Sequence, residues 1–302
     1  MEREIINKNY ILLKDWWESV NLTNYEKNLL NEDIIAFNQQ LFRLKEKKIR
    51  IGLYGKSGVG KSSIANYLLN KKVFKTDIIN GSTKTIKEAN WSFQHKELND
   101  VELLDSPGFD FCNINSHDEP YTEIENSELV LFVIAGDLNR NEINKIRLFI
   151  NKGKKIIIVL NKIDLWNKNE LKKIVNNINL KLPKNFKIPL IINRNNNLKN
   201  YMRKIITQYG EILLTLNSLQ SADKLYLKIK EKRLQKRQKL AQSAIGKFST
   251  IKASAVAVNP FILFDVAGSF VLDTALINEL SKIYGLNLKS ESTKKNIQKY
   301  IY

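Results

Sequence analysis

Cysteine is nearly absent: the chain of 302 residues carries one, Cys112. A lone thiol excludes an intramolecular disulfide framework and fits a reducing compartment. Histidine is almost as scarce. His95 and His117 are the only two, too few, with one thiol, for a His/Cys zinc site. Uninterrupted apolar sequence is also limited, because 26% of the residues are charged and 43% hydrophobic. That balance allows a packed core and excludes a bundle made wholly of membrane spans. Acidic charge is the last shortage. Asp and Glu number 31 against 49 Lys and Arg, a formal net charge of +18, so anionic partners are expected. Net charge does not choose among nucleic acid, an anionic membrane surface and phosphate ligands. The opening Met1–Lys8 lacks the basic-then-apolar layout of a secretory leader. An intracellular location, cytoplasm or organelle stroma, is the expectation.

What is present falls into parts. Within 1–47, Leu30, Ile34, Phe37, Leu41 and Leu44 alternate steps of four and three, which predicts a helical stripe packed on its own domain. From 48 to 209, apolar runs at Ile49–Tyr54, Val101–Leu104, Leu129–Ile134 and Ile156–Leu160, with a weaker one at Ile188–Ile192, read as strands. Helical stretches at Ser62–Leu69, Asn141–Asn151, Asn169–Leu180 and Leu198–Gln208 lie between or after them. Buried β-rich runs alternating with helices predict a doubly wound α/β domain with a mostly parallel sheet. The alternating Glu88–Lys96 directly precedes the Val101 strand. So short a link predicts an antiparallel pair, since a parallel one needs a long crossover.

Beyond 210 no strand signal remains. A basic helix is expected over 210–240, where Lys224, Lys228, Lys230, Lys232, Arg233, Lys236, Arg237 and Lys239 cluster. An apolar helical region follows over 241–302. Asn259–Pro260 suits an N-cap and first helical position, and Gly285 suits a C-terminal stop, so two helices joined at Asn259 are predicted.

The strongest local pattern is Gly55-Lys56-Ser57-Gly58-Val59-Gly60-Lys61-Ser62, which fits G-x-x-x-x-G-K-[ST] between a strand and a helix. Such a loop turns backbone N–H groups inward around phosphate oxygens, and the helix N-terminus adds its positive dipole end. Lys61 is expected to reach the β- and γ-phosphates, the Ser62 hydroxyl to ligate Mg²⁺, and Ser63 to line the first turn. The loop alone leaves ATP and GTP unresolved.

Two further segments carry a resemblance. Asp105-Ser106-Pro107-Gly108 follows the Val101 strand, and Asn161-Lys162-Ile163-Asp164 follows the Ile156 strand. With the phosphate loop, in this order, the chain resembles P-loop GTPases of the translation-factor-related class, which includes Era-like and dynamin-like G domains. The resemblance implies that Asp105 holds Mg²⁺ through water, that Gly108 senses the γ-phosphate, that Lys162 lies along the base and that Asn161 holds its loop against the phosphate loop. Asp164 would accept two hydrogen bonds from guanine N1–H and N2–H₂, a donor pair adenine lacks. GTP and GDP are the ligands implied, with Mg²⁺ as cofactor. Thr83 best fits the Mg²⁺-ligating switch I threonine, with Thr85 a second candidate.

Some departures bear on catalysis. Phe109 stands where Ras-like enzymes carry the water-orienting glutamine, and an apolar side chain cannot position water. Slow turnover is therefore expected, with another group supplied by this chain, a partner or a second copy. Gly58 replaces the asparagine of potassium-activated relatives, and the Ser-Ala element is degraded to Ile192-Asn193-Arg194. Arg140 and Arg147 read as surface charges, His95 as solvent-facing, and Trp16, Trp17, Trp91 and Trp166 as packing residues. Asp110, beside the Asp105–Gly108 element, reads as a loop carboxylate, with an influence on Mg²⁺ binding as the second reading.

The stretch Ala255–Pro260, Asp265 and the closing Leu280–Gly285 resembles the DUF697 (YcjF-like) domain that follows some G domains. Its relatives are commonly regarded as membrane-associated. Two readings of Ala253–Leu272 stay open: a hairpin in or on a membrane, with the basic run gripping headgroups at about 1 kcal/mol per charge, or a packed helical domain. The leading expectation is a GTPase switch acting through these helices at a membrane or protein partner. The alternatives are an RNA-binding ribosome-assembly GTPase and a GTP-binding scaffold that does not hydrolyse. No GXXG loop follows residue 210, and the basic run holds one aromatic, Tyr226, which lowers the RNA reading.

Overall fold

The computed structural model describes residues 5–74, 85–92, 98–110, 119–183, 187–193, 197–258 and 262–285. Six strands form one sheet in the order β2-β3-β1-β4-β5-β6. They are β1 (Lys48–Gly55), β2 (Lys87–Asn90), β3 (Asp100–Asp105), β4 (Leu129–Ile134), β5 (Lys155–Leu160) and β6 (Leu190–Ile192). All neighbours are parallel except β2 and β3, where Lys87 opposes Asp105. The expected doubly wound sheet and its antiparallel edge are therefore present. Strand β2 stops at Asn90, short of the predicted Lys96, and residues 93–97 with His95 lie outside the described residues.

Burial explains the strand pattern. Every residue of β4 is buried, as are the last five of β1, β3 and β5. Strands covered on both faces read as unbroken apolar runs. Tyr54, Leu104, Phe132, Phe149 and Ile158 pack together in the main core, and α4 (Lys61–Leu69) packs on β1 and β3. Helices α6 (Arg140–Asn151) and α7 (Lys168–Lys181) each open with a capping box, Asn139 with Glu142 and Asn167 with Glu170. Each box satisfies otherwise orphaned N–H groups and fixes where the preceding loop ends. The loops leaving β4 and β5 are thus held from both sides. The chain leaves β1 toward β3 on one flank and returns to β4 on the other. That reversal leaves a crevice at the carboxyl ends of these strands, the usual ligand site of such sheets.

The helices depart from expectation in several places. The N-terminal segment holds α1 (Ile5–Ser19), α2 (Asn24–Leu29) and α3 (Asn31–Lys45) rather than one helix. Trp16 and Trp17 pack edge-on against the buried Phe37 of α3. A short α5 (Glu119–Glu125) precedes β4. Most notably, α8 runs unbroken from Asn197 to Val258, across 209/210 and 240/241, where the sequence suggested divisions. Gly210 and Gly246 are tolerated inside it, and no proline falls between Pro189 and Pro260 to force a stop. Helix α9 (Ile262–Tyr284) ends at Gly285, whose φ of 69° marks a left-handed stop. Asn259 and Pro260 lie outside the described residues.

By compactness the chain divides into two units, Met1–Thr23 with Asn31–Lys224, and Asn24–Leu30 with Leu225–Tyr302. The first contains the sheet. In the second, Arg233 Nε pairs with Glu26 Oε1 at 2.8 Å, and Lys236 lies over the Tyr25 ring. No described helix is long and apolar enough to cross a membrane.

Candidate nucleotide site

The loop between β1 and α4 has the shape its glycines permit. Gly60, directly before α4, has φ 94°, and a Cβ there would meet Asn161 Nδ2 at 2.3 Å. Only glycine takes that backbone with that neighbour. Lys61 is 7% exposed and donates from Nζ to the carbonyls of Gly55 (3.1 Å) and Lys56 (2.7 Å). Its charge is therefore held over the loop. Val59 is buried and Ser63 exposed in the first turn of α4.

Parallel pairing of β3 with β1 carries Asp105 to the loop, opposite Leu53. Asp105 is fully buried, and its Oδ2 accepts from Ser62 Oγ at 2.5 Å. Its other oxygen, Oδ1, is buried with no hydrogen-bond partner among the described residues. Burial pushes the Asp105 carboxyl above the ordinary aspartate range, against the lowering influence of Ser62 and Lys61. A hydroxyl beside a carboxylate with an open, desolvated lone pair is a donor set suited to a hard divalent cation. Ser62 and Asp105 thus fit Mg²⁺. Thr83 lies outside the described residues, while Thr85 is exposed just before β2.

Past Asp105, Ser106 Oγ donates to the Leu53 carbonyl at 2.6 Å, and Phe109 N–H reaches the Gly55 carbonyl at 3.4 Å. Gly108 sits against Ser57: a Cβ on it would come 2.4 Å from the Ser57 nitrogen. Phe109 is buried, stacked on Tyr54 with ring centroids 5.3 Å apart. It is a core anchor, and its ring carries no group that hydrogen-bonds a water.

On the far side, β5 ends at Leu160 and Asn161 turns back. Its Nδ2 donates to the Val59 carbonyl of the phosphate loop at 2.9 Å. Lys162 takes a left-handed φ of 53°, and Asp164 stands exposed in the short 3-10 turn Ile163–Leu165. The structure therefore brings Gly55–Ser63, Asp105, Gly108 and Asn161–Asp164 to one rim of the sheet.

Residues 50–162 match the 50S ribosome-binding GTPase family, and residues 220–301 match a domain of unknown function, DUF697. The chain carries a P-loop GTPase domain. A DUF697 domain follows it, beginning inside α8 and well before the Ala255–Gly285 stretch that carried the resemblance. Over 175 residues the G-domain region is 30% identical to the GTPase Der of Karelsulcia muelleri, covering 55% of this chain and 38% of that protein. Over 136 residues it is 29% identical to the probable GTP-binding protein EngB of Mycoplasma genitalium, covering 40% of this chain and 68% of that one. The chain thus spans well under half of the Der relative's length. A crystal structure of Aquifex aeolicus Era bound to GDP and AlF4⁻ aligns with a TM-score of 0.42 at 23% identity, over 54% of this chain and 56% of that one.

Three G-domain residues with a place at the rim had no motif to announce them. Asn193, just past β6, donates from Nδ2 to Asn161 Oδ1 at 2.9 Å. Val59 offers only a carbonyl, so Asn161 must turn its NH₂ there, which leaves its oxygen to Asn193. Asp110 accepts from Ser57 N–H at 2.7 Å. Trp166 is 37% exposed rather than packed inside, and its indole N–H donates to the Ala135 carbonyl at 3.2 Å, tying the β4 and β5 loops together. The degraded Ile192-Asn193-Arg194 element was the one sequence signal near Asn193.

Proposed function

We propose that this chain is a guanine-nucleotide switch that hydrolyses GTP to GDP and phosphate. Turnover is slow unless another group of this chain, a partner or a second copy supplies the water-orienting group. The observation that carries the reading is the Asn161 amide seated on the Val59 carbonyl. It joins the exposed Asp164 carboxylate to the phosphate loop, so one rigid rim offers a guanine acceptor pair and a phosphate cradle. Lys61 supplies a fixed positive charge for the phosphates. Ser62 and Asp105, with Thr83 from the segment before β2, would hold Mg²⁺. The ion, when bound, neutralises charge on the β- and γ-phosphate oxygens. The apolar, core-packed Phe109 cannot itself orient a water, which supports slow intrinsic hydrolysis.

The output is assigned to the C-terminal helices at an anionic membrane surface inside the cell. Lys230, Lys236, Arg237 and Lys239 are exposed along α8, with Leu227 and Leu234 exposed among them. Apolar contact plus cationic grip is the physics of peripheral membrane binding. Titration with fluorescent GTP, GDP and ATP tests the site. GTP and GDP should bind and ATP should not, Lys61→Ala should abolish binding, and Asp164→Asn should transfer preference to xanthosine triphosphate. ATP binding as tight as GTP, or unchanged GTP affinity in Asp164→Asn, overturns the assignment. Sedimentation with anionic vesicles, released by high salt, tests the output. Co-migration with ribosomes instead would favour the RNA-binding reading.

A further inference from the structure

The chain beyond Asp105 does not leave the site as an open loop. Phe109 pins it to the core beside Tyr54 and Phe132, with ring centroids at 5.3 and 6.3 Å. One residue on, Asp110 places its carboxylate on the Ser57 N–H at 2.7 Å. Gly108 packs into the same spot, since a Cβ there would lie 2.4 Å from Ser57 N and 2.6 Å from Asp110 Oδ1. Ser57, Gly108 and Asp110 converge on one point at the edge of the phosphate loop.

Which phosphate that point concerns follows from the loop's polarity. The loop's backbone amides together cradle the phosphates. Ser57 N–H is one that lies against Gly108 at the β3 end, while the lysine and the metal-binding pair act on the β- and γ-phosphates. The end of β3, which carries Asp105 and Gly108, is therefore the side on which a third phosphate lies. A carboxylate oxygen and a phosphate oxygen are both anionic acceptors for the same backbone N–H. They cannot share it, and side by side they repel.

We propose that Asp110 is a selectivity residue that competes with the terminal phosphate of GTP for the Ser57 N–H and so favours the diphosphate. This rests on the guanine-nucleotide reading above. A repulsive element set against one of two ligands is how a site discriminates between near-identical molecules. Because Phe109 fixes the preceding residue, the carboxylate yields to a third phosphate only by rotating outward into solvent, on which side Asp110 is already exposed. GTP therefore pays for that displacement and GDP does not.

The test uses the full chain with Mg²⁺ and fluorescent GTP and GDP, comparing wild type, Asp110→Ala and Asp110→Asn. The ratio of GTP to GDP affinity should rise about tenfold in Asp110→Ala, the size of one charge-assisted hydrogen bond at an exposed site. Asp110→Asn should move the ratio the same way by less, because its amide oxygen still accepts from Ser57 without the charge. An unchanged or falling ratio in a folded variant overturns the proposal while leaving the nucleotide site standing. Failure of the wild-type chain to bind either nucleotide overturns the site and the proposal together. Asn, nearly isosteric with Asp, keeps the test available should Asp110→Ala fail to fold.

Discussion

The two ends of the sheet are both crowded with buried polar groups, and they are built on opposite terms. At the amino end, Glu128 accepts from Arg50 N–H (2.6 Å), Gln40 (2.8 Å) and Asn217 (2.7 Å), and Arg43 lies beside it. Asn217 also donates to the Asn126 carbonyl and accepts from Lys154. One network therefore ties α3, the start of β4 and α8 together, with both Glu128 oxygens accepting, although Arg43 Nε, 3.8 Å from Glu128 Oε1, is buried with no hydrogen-bond partner among the described residues. At the carboxyl end, Asp105 keeps one oxygen unpartnered among the described residues, and Ser57 gives its N–H to an exposed loop carboxylate. Buried charge alone does not mark a site. What separates the ends is the kind of group left open. Arg43 has its counter-charge, Glu128, beside it and stabilises the fold, whereas a carboxylate oxygen held dry next to a hydroxyl is poised to receive a cation.

The largest effect expected from that contrast is at Glu128. Glu128→Ala should lower unfolding free energy by about 3–5 kcal/mol in urea melts, because Arg50 N–H, Gln40 and Asn217 lose their common acceptor and Arg43 loses its counter-charge. Asp105→Asn should do the reverse. Its carboxyl is raised by burial, so the folded chain binds the proton more readily than the unfolded chain. The carboxylate thus opposes folding at neutral pH, and that cost disappears as pH falls through the folded value. Removing the charge should raise the melting temperature of the nucleotide-free chain while weakening GTP affinity in Mg²⁺ by about a hundredfold, roughly the worth of a charged contact. A destabilisation matching that of Glu128→Ala would erase the difference between the two ends.

A middle-sized effect belongs to Lys154, which donates to Asn217 inside the Glu128 network. Burial pulls its pKa from 10.5 down to about 8, more than the nearby Glu128 and Glu125 raise it. The unfolded chain therefore holds more protons between about 8 and 10.5, and stability should climb with pH across that window. The expected gain is about 1–2 kcal/mol after allowance for partial solvent access. Lys154→Met should flatten the wild-type rise in urea melts between those values. An identical slope in the variant would mean that the amine is solvated in the folded chain.

Sequence reading reached the two ends unequally. Strands β4 and β5 are legible because burial on both faces writes itself as near-continuous Val, Ile, Leu and Phe, and β1 and β3 as mainly apolar stretches interrupted by Arg50 and Glu102. The phosphate loop and the Asp105 and Asn161 segments were legible because each packs its chemistry into a few consecutive residues. The Glu128 network was not. Gln40 stands 88 residues from Glu128 and 178 from Ser218, so no local pattern records their meeting. The same holds for Asp110 and Ser57, 53 residues apart, which left Asp110 looking like an ordinary loop acid. Helix α8 was read as separate pieces because its composition shifts from mixed to basic to apolar, although the backbone meets no proline. Trp166 was taken for core by residue type alone, whereas its indole N–H serves as a staple between loops at the surface.

The smallest effect tests whether any saturated link exists within the nucleotide rim itself. Asn193 donates to Asn161, and Asn161 to the phosphate loop, so the rim contains a short relay from β6 through β5 to Val59. Asn193 touches no nucleotide in this scheme and acts by fixing the Asn161 amide the right way round. Asn193→Ala should weaken GTP and GDP together by about three- to tenfold, the worth of one neutral hydrogen bond. Asn193→Asp should be worse than alanine at neutral pH, because a carboxylate sets an acceptor against the Asn161 oxygen. Lowering the pH through the ordinary carboxyl range should bring the aspartate variant back toward wild type, since a protonated acid donates. If alanine and aspartate bind alike at every pH, the Asn161 amide is oriented by Val59 alone and the relay ends at β5.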